Sequence, residues 1–472
     1  MTMILQQKTQ QKTAFSPSPK RGVHVMTWGC QMNVYDSARM QDVLQPLGFA
    51  PVNTPEEAEI IILNTCHIRD KAAEKVFSEL GRLRLIKEAR KAHGQQTLIA
   101  VAGCVAQAEG EELLTRAPYV DIVLGPQTYH RLPELLTHVA RAGKPVIDID
   151  FPTEQKFDFL PHNKTPQTSH SPTAFLTIQE GCDKFCSFCV VPYTRGAECS
   201  RPVSAILEEA HRLVEAGARD ISLLGQNVNA YHGTGPDGNL WSLAQLAYAL
   251  ADIPDLLRIR YTTSHPRDMH NALIMAHRDL PKLMPFLHLP IQSGSDRILR
   301  AMNRGHTAND YLAIVQRLRE ARPDIALSSD FIVGYPGETE QDFEATLHLV
   351  QQVGFALAYS FKYSPRPGTP AAEADGQVPE DVKNTRLQIL QKILHDQQNA
   401  FNDQFVGRSI PVLLTSRGRK QGQIVGRSPW LQPVHINGSD HLIGQERLVH
   451  ITARLSHSLL GNLDENKTSL PQ

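Results

Sequence analysis

The feature that most constrains the fold is a regular alternation of short apolar runs with helical stretches between residues 173 and 400. Helical stretches such as 203–218 and 339–354 separate the apolar runs, which is the βα pattern of a parallel sheet. Six such units predict an open or partial barrel, with its functional residues on loops at the carboxyl ends of the strands. The candidate strands are 174–180, 220–227, 258–264, 286–292, 326–334 and 357–364.

The same alternation occurs nearer the amino terminus, with candidate strands at 23–29, 59–65, 97–103 and 119–125. It predicts an N-terminal parallel α/β domain. A long helix leaves the central barrel, and the chain beyond 405 changes to short β-rich runs with Gly and Asn turns, which predict a small all-β, OB-like barrel. The predicted order is a disordered tail (1–20), an N-terminal domain (21–145), a linker (146–172), the partial (β/α)6 barrel (173–404) and the small barrel (405–468).

Composition places this chain among reduced, water-soluble proteins. The chain has seven cysteines in 472 residues, which is an odd number and a low density. A disulfide framework is therefore not expected, and a cytoplasmic location is predicted. No apolar run approaches the ~20 residues of a membrane span. The first residues are polar and lack acidic side chains, so a disordered tail is predicted, with an organelle transit peptide as the alternative.

A C-x3-C-x2-C run, formed by Cys182, Cys186 and Cys189, follows the first barrel strand. A tetrahedral zinc needs a fourth ligand, and Cys199 is poorly spaced to supply it. Three cysteines can hold three irons of a 4Fe–4S cube and leave the fourth iron open. An open iron can chelate S-adenosylmethionine (SAM), which an electron from the cluster then splits to a carbon radical. The run resembles the signature of the radical SAM superfamily.

Three further cysteines, Cys30, Cys66 and Cys104, each follow an apolar strand of the N-terminal domain, one βα unit apart. They are therefore expected at the carboxyl edge of neighbouring strands, where open α/β sheets bind ligands and helix N-termini favour thiolates. The pattern predicts a second three-cysteine iron–sulfur cluster. Coincidental buried thiols and a zinc site remain as alternatives. Cys199 is interpreted as a small apolar residue.

The predicted small barrel is basic. Residues 405–463 contain seven Lys and Arg residues against two acidic residues, an excess of +5 in a chain whose net charge is −1. Such an excess suits contact with a phosphate backbone, although a solvated basic surface is the plain alternative.

Motifs along nearly the whole chain resemble those of the tRNA methylthiotransferases of the MiaB type. The matching stretches are "WGCQMNVYDSARM", "NTCHIRDKAAEKVF", "AGCVAQAEG", "GCDKFCSFCVVPYTRG", "LLGQNVNAY", "YTTSHP", "LHLPIQSGSDRILRAMNRGHT", "SSDFIVGYPGETEQDF" and "YSPRPGTPA". The resemblance implies an N-terminal methylthiotransferase domain, a radical SAM barrel and a C-terminal TRAM domain. Family members often have Glu at the position of Asp70, Phe at that of Tyr335 and an aliphatic residue at that of Cys199.

The resemblance also implies the reaction. Such enzymes add a methylthio group to carbon 2 of N6-dimethylallyladenosine at position 37 of tRNA, using two SAM molecules and two 4Fe–4S clusters. General acid–base help of about 10²–10⁴ would not open the C–H bond at that carbon, so a radical route is expected. The implied roles are SAM cleavage at the Cys182, Cys186 and Cys189 cluster and sulfur donation at the Cys30, Cys66 and Cys104 cluster.

Weaker motifs lie at the ends of barrel strands. SAM contact is expected from these strand ends, with packing or turn roles as the alternative for each. Phe188 is expected to shield the cluster or to be ordinary core, and Arg366 to contact RNA or close a turn. The predicted SAM residues are Gly225, Gln226, Asn227, Gln292, Ser293, Gly294 and Asp330, and Arg195 follows the cluster loop.

Other targets and partners define the alternatives. A ribosomal-protein aspartate or threonylcarbamoyl adenosine in tRNA is the rival target, but "GCQMN" and "SSDFIVG" favour dimethylallyladenosine. A rival of another class is an iron–sulfur RNA-binding module without turnover, or a cluster-based redox sensor. The expected partners are tRNA, an electron donor such as flavodoxin or ferredoxin, and sulfur or cluster assembly proteins. A monomer without membrane contact is expected.

Overall fold

The computed structural model describes residues 21–66, 72–152, 156–159 and 171–464. The predicted tail and most of the predicted linker lie outside these ranges. The architecture is α/β, as predicted, with an N-terminal parallel sheet, a central partial barrel and a small closed barrel at the C-terminal end.

Six parallel strands form the N-terminal sheet, in the order β2-β1-β3-β4-β5-β6. Apolar side chains cover both faces of this sheet, which explains why its central strands read as continuous apolar runs. The last strand extends the sheet beyond the predicted boundary at residue 145. The elements are β1 (Arg21–Trp28), α1 (Gln31–Leu44), β2 (Phe49–Pro51), β3 (Ile60–Thr65), α2 (Ala72–Ala92), β4 (Leu98–Gly103), α3 (Cys104–Arg116), β5 (Ile122–Leu124), α4 (Leu132–Ala142) and β6 (Val146–Asp148).

The central barrel has six parallel strands in two hydrogen-bonded groups, β13-β10-β7 and β14-β15-β16. A bridge between Ile259 and Leu283 joins the groups. The strands and short pairs are β7 (Thr173–Thr177), β8 (Gln179–Glu180), β9 (Cys199–Ser200), β10 (Asp220–Leu224), β11 (His232–Thr234), β12 (Leu240–Ser242), β13 (Arg258–Tyr261), β14 (Phe286–His288), β15 (Ala326–Val333) and β16 (Leu357–Lys362).

Helices pack around this barrel and bury its largest apolar core. Ser or Thr caps begin several of them, as at Thr307 and Thr339, where the side chain accepts a hydrogen bond from the third residue of the helix. The helices are α5 (Val191–Arg195), α6 (Val203–Glu215), α7 (Leu243–Ala251), α8 (Asn271–Asp279), α9 (Asp296–Ala301), α10 (Ala308–Ala321), α11 (Glu340–Val353) and α12 (Glu380–Asp403).

The C-terminal strands close into a five-stranded barrel in the order β17-β18-β19-β21-β20. Alternate side chains fill its interior, in agreement with the predicted small all-β domain. The strands are β17 (Ser409–Arg417), β18 (Gln423–Arg427), β19 (Pro433–Asn437), β20 (Glu446–Arg454) and β21 (Leu459–Leu463).

Two buried arginines of β13 attach the small barrel to the amino end of the central barrel. Arg258, only 1% exposed, forms an ion pair with Glu446 of β20. Arg260 donates 2.9 Å and 2.7 Å hydrogen bonds to the carbonyls of Ser428 and Pro429. Because these contacts lie at the amino ends of the strands, the small barrel leaves the carboxyl end, where the cysteine loop lies, uncovered.

Candidate active site with two cysteine triads

Cys30, Cys66 and Cys104 lie together at the carboxyl edge of the N-terminal sheet, and we call them the strand-end triad. They follow β1, β3 and β4, which are direct neighbours in the sheet. The Cys66 side chain interacts with those of both Cys30 and Cys104, and each interaction shifts the pKa of the two thiols involved. The structure therefore brings together three residues that are about 36 to 38 positions apart in sequence, as the βα spacing predicts.

The backbone is closely packed at Gly29 and Gly103, which directly precede Cys30 and Cys104 of the strand-end triad. A Cβ atom at Gly29 would lie 2.5 Å from the Cβ of Cys66, and one at Gly103 would lie 2.5 Å from the side-chain oxygen of Asn64. Both glycines also have positive φ angles. Glycine at these two positions therefore lets the strand ends pack closely, which brings the cysteine-bearing segments together at this edge.

Asparagines orient the first thiol. Asn33 accepts 3.3 Å hydrogen bonds from the backbone amide and the thiol of Cys30, and its own amide donates to Asn64 at 3.1 Å. Asn33 and Asn64 are fully buried. Since a buried, hydrogen-bonded amide pair is rigid, it fixes the direction of the Cys30 side chain.

The three thiols of the triad differ in how readily they lose their protons. The interaction with Cys66, together with the charge of the Arg195 guanidinium, lowers the pKa of Cys30 and Cys104 to about 6 each. The pKa of Cys66 is raised well above its usual range because both contacts favour its protonated form. As the pH rises, the sulfurs of Cys30 and Cys104 therefore become thiolates before neutral pH is reached, and the thiolate is the form that binds metal.

This division predicts the pH dependence of Cys30 alkylation in the apoprotein. Cys30 is exposed, and with a pKa of about 6 it should react with iodoacetamide nearly as fast at pH 7 as at pH 9, losing reactivity only below pH 6. In Cys66→Ala the interaction that lowers the pKa of Cys30 most is gone, so this pKa should rise and labelling at pH 7 should fall severalfold. Mass spectrometry of the Cys30 peptide measures the rate; equal rates in both proteins would contradict the assignment.

Cys182, Cys186 and Cys189 occupy the loop between β8 and α5 and form what we call the loop triad. The amide of Cys189 donates to the carbonyl of Cys186 at 2.9 Å, which closes a tight turn. Burial raises the pKa of Cys182 to about 11 and that of Cys189 to about 12. Gly181 begins the loop with φ +72°, and a Cβ there would lie 1.9 Å from the Ala197 carbonyl oxygen. The loop conformation therefore requires glycine at this position.

The predicted SAM residues at the end of β10 contact the cysteine loop itself. The Gln226 side-chain oxygen accepts a 2.6 Å hydrogen bond from the amide of Gly181. Asn227 donates to Asp268 at 2.8 Å, and the other oxygen of Asp268 pairs with Lys184 inside the loop. Gly225 packs against the Gln179 side chain. These contacts position the loop, and SAM contact by the three residues stays a prediction.

The predicted residues at the end of β14 are built into the barrel wall. Gln292 has φ +79° and pairs through its backbone with Asp330 and Ile332. Ser293 and the amide of Gly294 both hydrogen-bond with Thr346 of α11. Their packing role is visible in these bonds, and a role in SAM binding stays a prediction.

Asp330 lies half-buried on the inner face of β15. Its carboxylate is 3.5 Å from His288 of β14, and Tyr359 of β16 stacks edge-on against that histidine. Asp330 is thus part of a polar group inside the barrel that the sequence analysis did not identify. Its role in SAM binding stays a prediction.

Phe188 and Arg366 have visible structural contacts. Phe188 packs against a small apolar cluster that includes Tyr335 and Tyr363. The carbonyl of Arg366 accepts a hydrogen bond from the amide of Thr369, which closes a turn. The predicted shielding of a cluster by Phe188 and RNA contact by Arg366 stay predictions.

Several buried polar atoms near the loop triad have no hydrogen-bond partner among the residues that the structure describes. They are the Asn227 side-chain oxygen, the Ser264 hydroxyl, Nε2 of His265 and Nε of Arg304. Because buried polar groups are nearly always paired, these atoms indicate a ligand space at the carboxyl end of the barrel. The motifs "YTTSHP" and "NRGHT" contain three of the four residues, but neither motif has a spacing that predicts this convergence.

Neither triad has the geometry of a mononuclear metal site. In the described part of the chain, no three His, Cys, Asp or Glu side chains converge closely enough to share one metal ion. A 4Fe–4S cube is held differently, because each thiolate binds its own iron.

A buried ionic network joins the two triads. Arg195 of α5, 3% exposed, pairs with Glu180 before the loop triad and with Asp36 of α1, each at 2.8 Å. Its positive charge also lowers the pKa of Cys30 and Cys104. Lys156 pairs with Glu180 at 2.6 Å and lies 3.7 Å from Asp36. Lys156 lies in the segment interpreted as a linker, so this part of that segment is packed between the domains.

Comparisons with known proteins agree with the fold. Residues 22–125 match the family described as "Uncharacterized protein family UPF0004", and residues 176–350 match the radical SAM superfamily. Among solved structures, the radical SAM methyltransferase TsrM from Kitasatospora setae aligns over 75% of each chain with 12% identity and a TM-score of 0.55. The cobalamin-dependent SAM radical enzyme OxsB aligns over 79% of this chain and 56% of its own, with 13% identity and a TM-score of 0.53. At these identities, both structures show the fold alone.

The chain therefore contains a radical SAM domain, which implies SAM and a 4Fe–4S cluster as cofactors. A UPF0004 domain followed by a radical SAM domain is the domain architecture of the MiaB-type methylthiotransferases, so this protein is a radical SAM enzyme of the methylthiotransferase type. None of the helices in the described ranges has both the length and the hydrophobicity of a membrane span.

Proposed function

We propose that this enzyme adds a methylthio group to carbon 2 of N6-dimethylallyladenosine at position 37 of tRNA. The observation that carries the proposal is the junction of two cysteine triads, one from each domain, across the buried network of Arg195, Asp36, Glu180 and Lys156. A reaction that needs both a radical and a sulfur donor requires two such sites at one cavity. When bound, SAM and the two clusters supply the radical chemistry, the methyl group and the sulfur.

The chain's own residues support a second cluster at the strand-end triad. Three thiols converge, two of them with a pKa of about 6, and Gly29 and Gly103 permit the close backbone packing that brings them together. A fourth cysteine does not accompany them in the sequence, so one iron of a cube would stay open to a sulfur ligand. The loop triad has the same three-ligand character.

The choice of target rests on the motif "GCQMN" and on the basic surface of the small barrel. Asn33 of that motif accepts hydrogen bonds from Cys30, so the motif is part of the strand-end triad's surroundings, where the sulfur donor is proposed to bind. The β17–β18 hairpin exposes Arg417, Arg419 and Lys420, as contact with RNA phosphates would require. Proteins that read single-stranded RNA bind unstacked bases from loops, and adenosine 37 lies in such a loop, from which it can be unstacked.

The proposal is tested by product mass. After anaerobic reconstitution, the enzyme would be given tRNA with dimethylallyladenosine, tRNA with threonylcarbamoyl adenosine, or a ribosomal protein with the candidate aspartate. We expect the mass increase of a methylthio group on the first substrate only. Modification of another substrate would reassign the target, and SAM cleavage without any methylthio product would refute the methylthiotransferase function.

The basic hairpin gives a prediction about RNA affinity. Replacing Arg419 and Lys420 by Ala removes two phosphate contacts, so the Kd for tRNA should rise about tenfold and the slope of log K against log salt should fall by about two. The matched control is Arg278→Ala with Lys392→Ala, which removes the same charge from exposed helical positions elsewhere. Fluorescence anisotropy over a range of salt measures both. An equal loss in the control would mean that only net charge matters.

A further inference from the structure

Each cysteine triad has one buried arginine beside it that comes from outside the triad. The charge of Arg195 lowers the pKa of Cys104 in the strand-end triad, and Nη1 of Arg304 donates a 3.4 Å hydrogen bond to the sulfur of Cys186 in the loop triad. Arg195 is 3% exposed and Arg304 is 5% exposed. A buried guanidinium stabilises negative charge on a nearby sulfur, because its own charge is poorly screened there.

The carboxylates around Arg195 fix the direction in which its guanidinium points. Glu180 binds Nη1 and Asp36 binds Nη2, while Lys156 supplies a second positive charge to the same two carboxylates. The two acids and two bases balance each other. The Arg195 charge is therefore held in one place beside the strand-end triad.

Arg304 has a different environment. Its Nη2 donates to the carbonyl of Pro290 and its Nη1 faces Cys186, and no carboxylate among the described residues forms an ion pair with it. Burying a cation without an anionic partner is strongly unfavourable. The Cys186 sulfur is in contact with Arg304 and would supply this negative charge as a thiolate ligand of a cluster.

We propose that Arg195 and Arg304 are positioning residues that set the reduction potentials of the two clusters separately, Arg195 through its anchored charge beside the strand-end triad and Arg304 through a hydrogen bond to the Cys186 sulfur. Hydrogen bonds and positive charge at cluster sulfurs stabilise the reduced, more negative state and raise the potential. The Arg195 half rests on the proposed second cluster. The Arg304 half rests only on the cluster of the radical SAM barrel.

The test uses full-length protein with one cluster at a time. Cys182, Cys186 and Cys189 changed together to Ala leave the strand-end site, and Cys30, Cys66 and Cys104 changed to Ala leave the loop site. Anaerobic redox titration followed by electron paramagnetic resonance gives each midpoint potential. In the strand-end background, Arg195→Gln should reduce the ratio of reduced to oxidised cluster at fixed potential about tenfold, which is ~59 mV for one electron.

The two arginines serve as controls for each other. Arg304→Gln should lower the potential of the loop cluster and leave that of the strand-end cluster unchanged. Arg195→Gln should lower the potential of the strand-end cluster and leave that of the loop cluster unchanged. Arg195→Lys keeps the charge and should restore most of the potential. Arg201→Gln is the control for folding, because Arg201 is a buried arginine paired with Glu209 and should alter neither potential.

If Arg195→Gln does not fold, a variant that is expected to shift the potential in the opposite direction keeps the test decisive. Asp36→Asn removes a negative charge anchored to Arg195 at nearly constant shape, so it should raise the strand-end potential. If iron-loaded strand-end protein shows the same potential and spectrum in all these variants, Arg195 is only structural and the inference fails. If that background binds no iron, the second cluster is refuted, and the Arg304 measurement still decides the other half.

Discussion

Replacing Cys186 by Ala should abolish SAM cleavage while leaving tRNA affinity within about twofold of the wild-type value. Cys186 is the central cysteine of the loop triad, is almost fully buried and is the one that Arg304 contacts. Its loss removes a cluster ligand and leaves the Arg304 charge without its partner. Liquid chromatography of 5′-deoxyadenosine measures cleavage, and anisotropy measures RNA binding.

The same experiment separates the enzyme from a non-catalytic iron–sulfur RNA-binding module. RNA binding is expected to depend on the basic hairpin of the small barrel, which is attached at the opposite end of the central barrel from the loop triad. Cys199→Ala is the matched control, since Cys199 lies outside both triads and should retain cleavage. Turnover by the Cys186→Ala protein would show that the loop triad is not the site of SAM cleavage.

Strand positions were predictable because the parallel strands are buried on both faces. β3 and β4 were expected at 59–65 and 97–103 and occur at Ile60–Thr65 and Leu98–Gly103. A strand covered on both sides is a continuous apolar run, which sequence shows directly. β6, at Val146–Asp148, is a short strand at the edge of the sheet, and such a run has too little apolar character to mark it.

The grouping of the strand-end cysteines was also predictable, because equal βα spacing places successive strand ends side by side. The buried charges between the triads were not predictable in this way. Lys156 lies in a segment with little periodicity and Asp36 on a helix, and they meet Glu180 only through tertiary packing. Periodicity reports which face of an element is buried, but not which distant element covers it.

The docking of the small barrel shows the same limit. Arg258 and Arg260 alternate with apolar residues along β13, which in sequence reads as an ordinary strand with one polar face. In the structure that face is buried by Glu446 and by the turn at Ser428. The positive charge of the small barrel could be counted from the sequence, whereas its attachment to the amino end of the central barrel could not.

Changing Cys30, Cys66 and Cys104 together to Ala should halve the iron content, preserve SAM cleavage and eliminate methylthio transfer. Two cubes require about eight irons and eight sulfides per chain, and loss of one leaves about four. The three side chains lie at strand ends, and their backbones are held by neighbouring strands and by Gly29 and Gly103, so alanine should be accommodated without loss of the sheet. Iron and sulfide assays after anaerobic reconstitution give the stoichiometry.

The division of labour between the triads makes this result informative. The loop triad, with Gln226 and Arg304 around it, is built entirely from the barrel and should therefore still cleave SAM in the triple variant. Without the strand-end cluster, the radical has no sulfur source, so 5′-deoxyadenosine should accumulate without methylthiolated tRNA. Full methylthiolation by the triple variant, measured by product mass beside a Cys199→Ala control, would contradict sulfur donation from this edge of the sheet. Loss of both activities together with loss of all iron would instead mean that the strand-end triad supports assembly of the loop cluster.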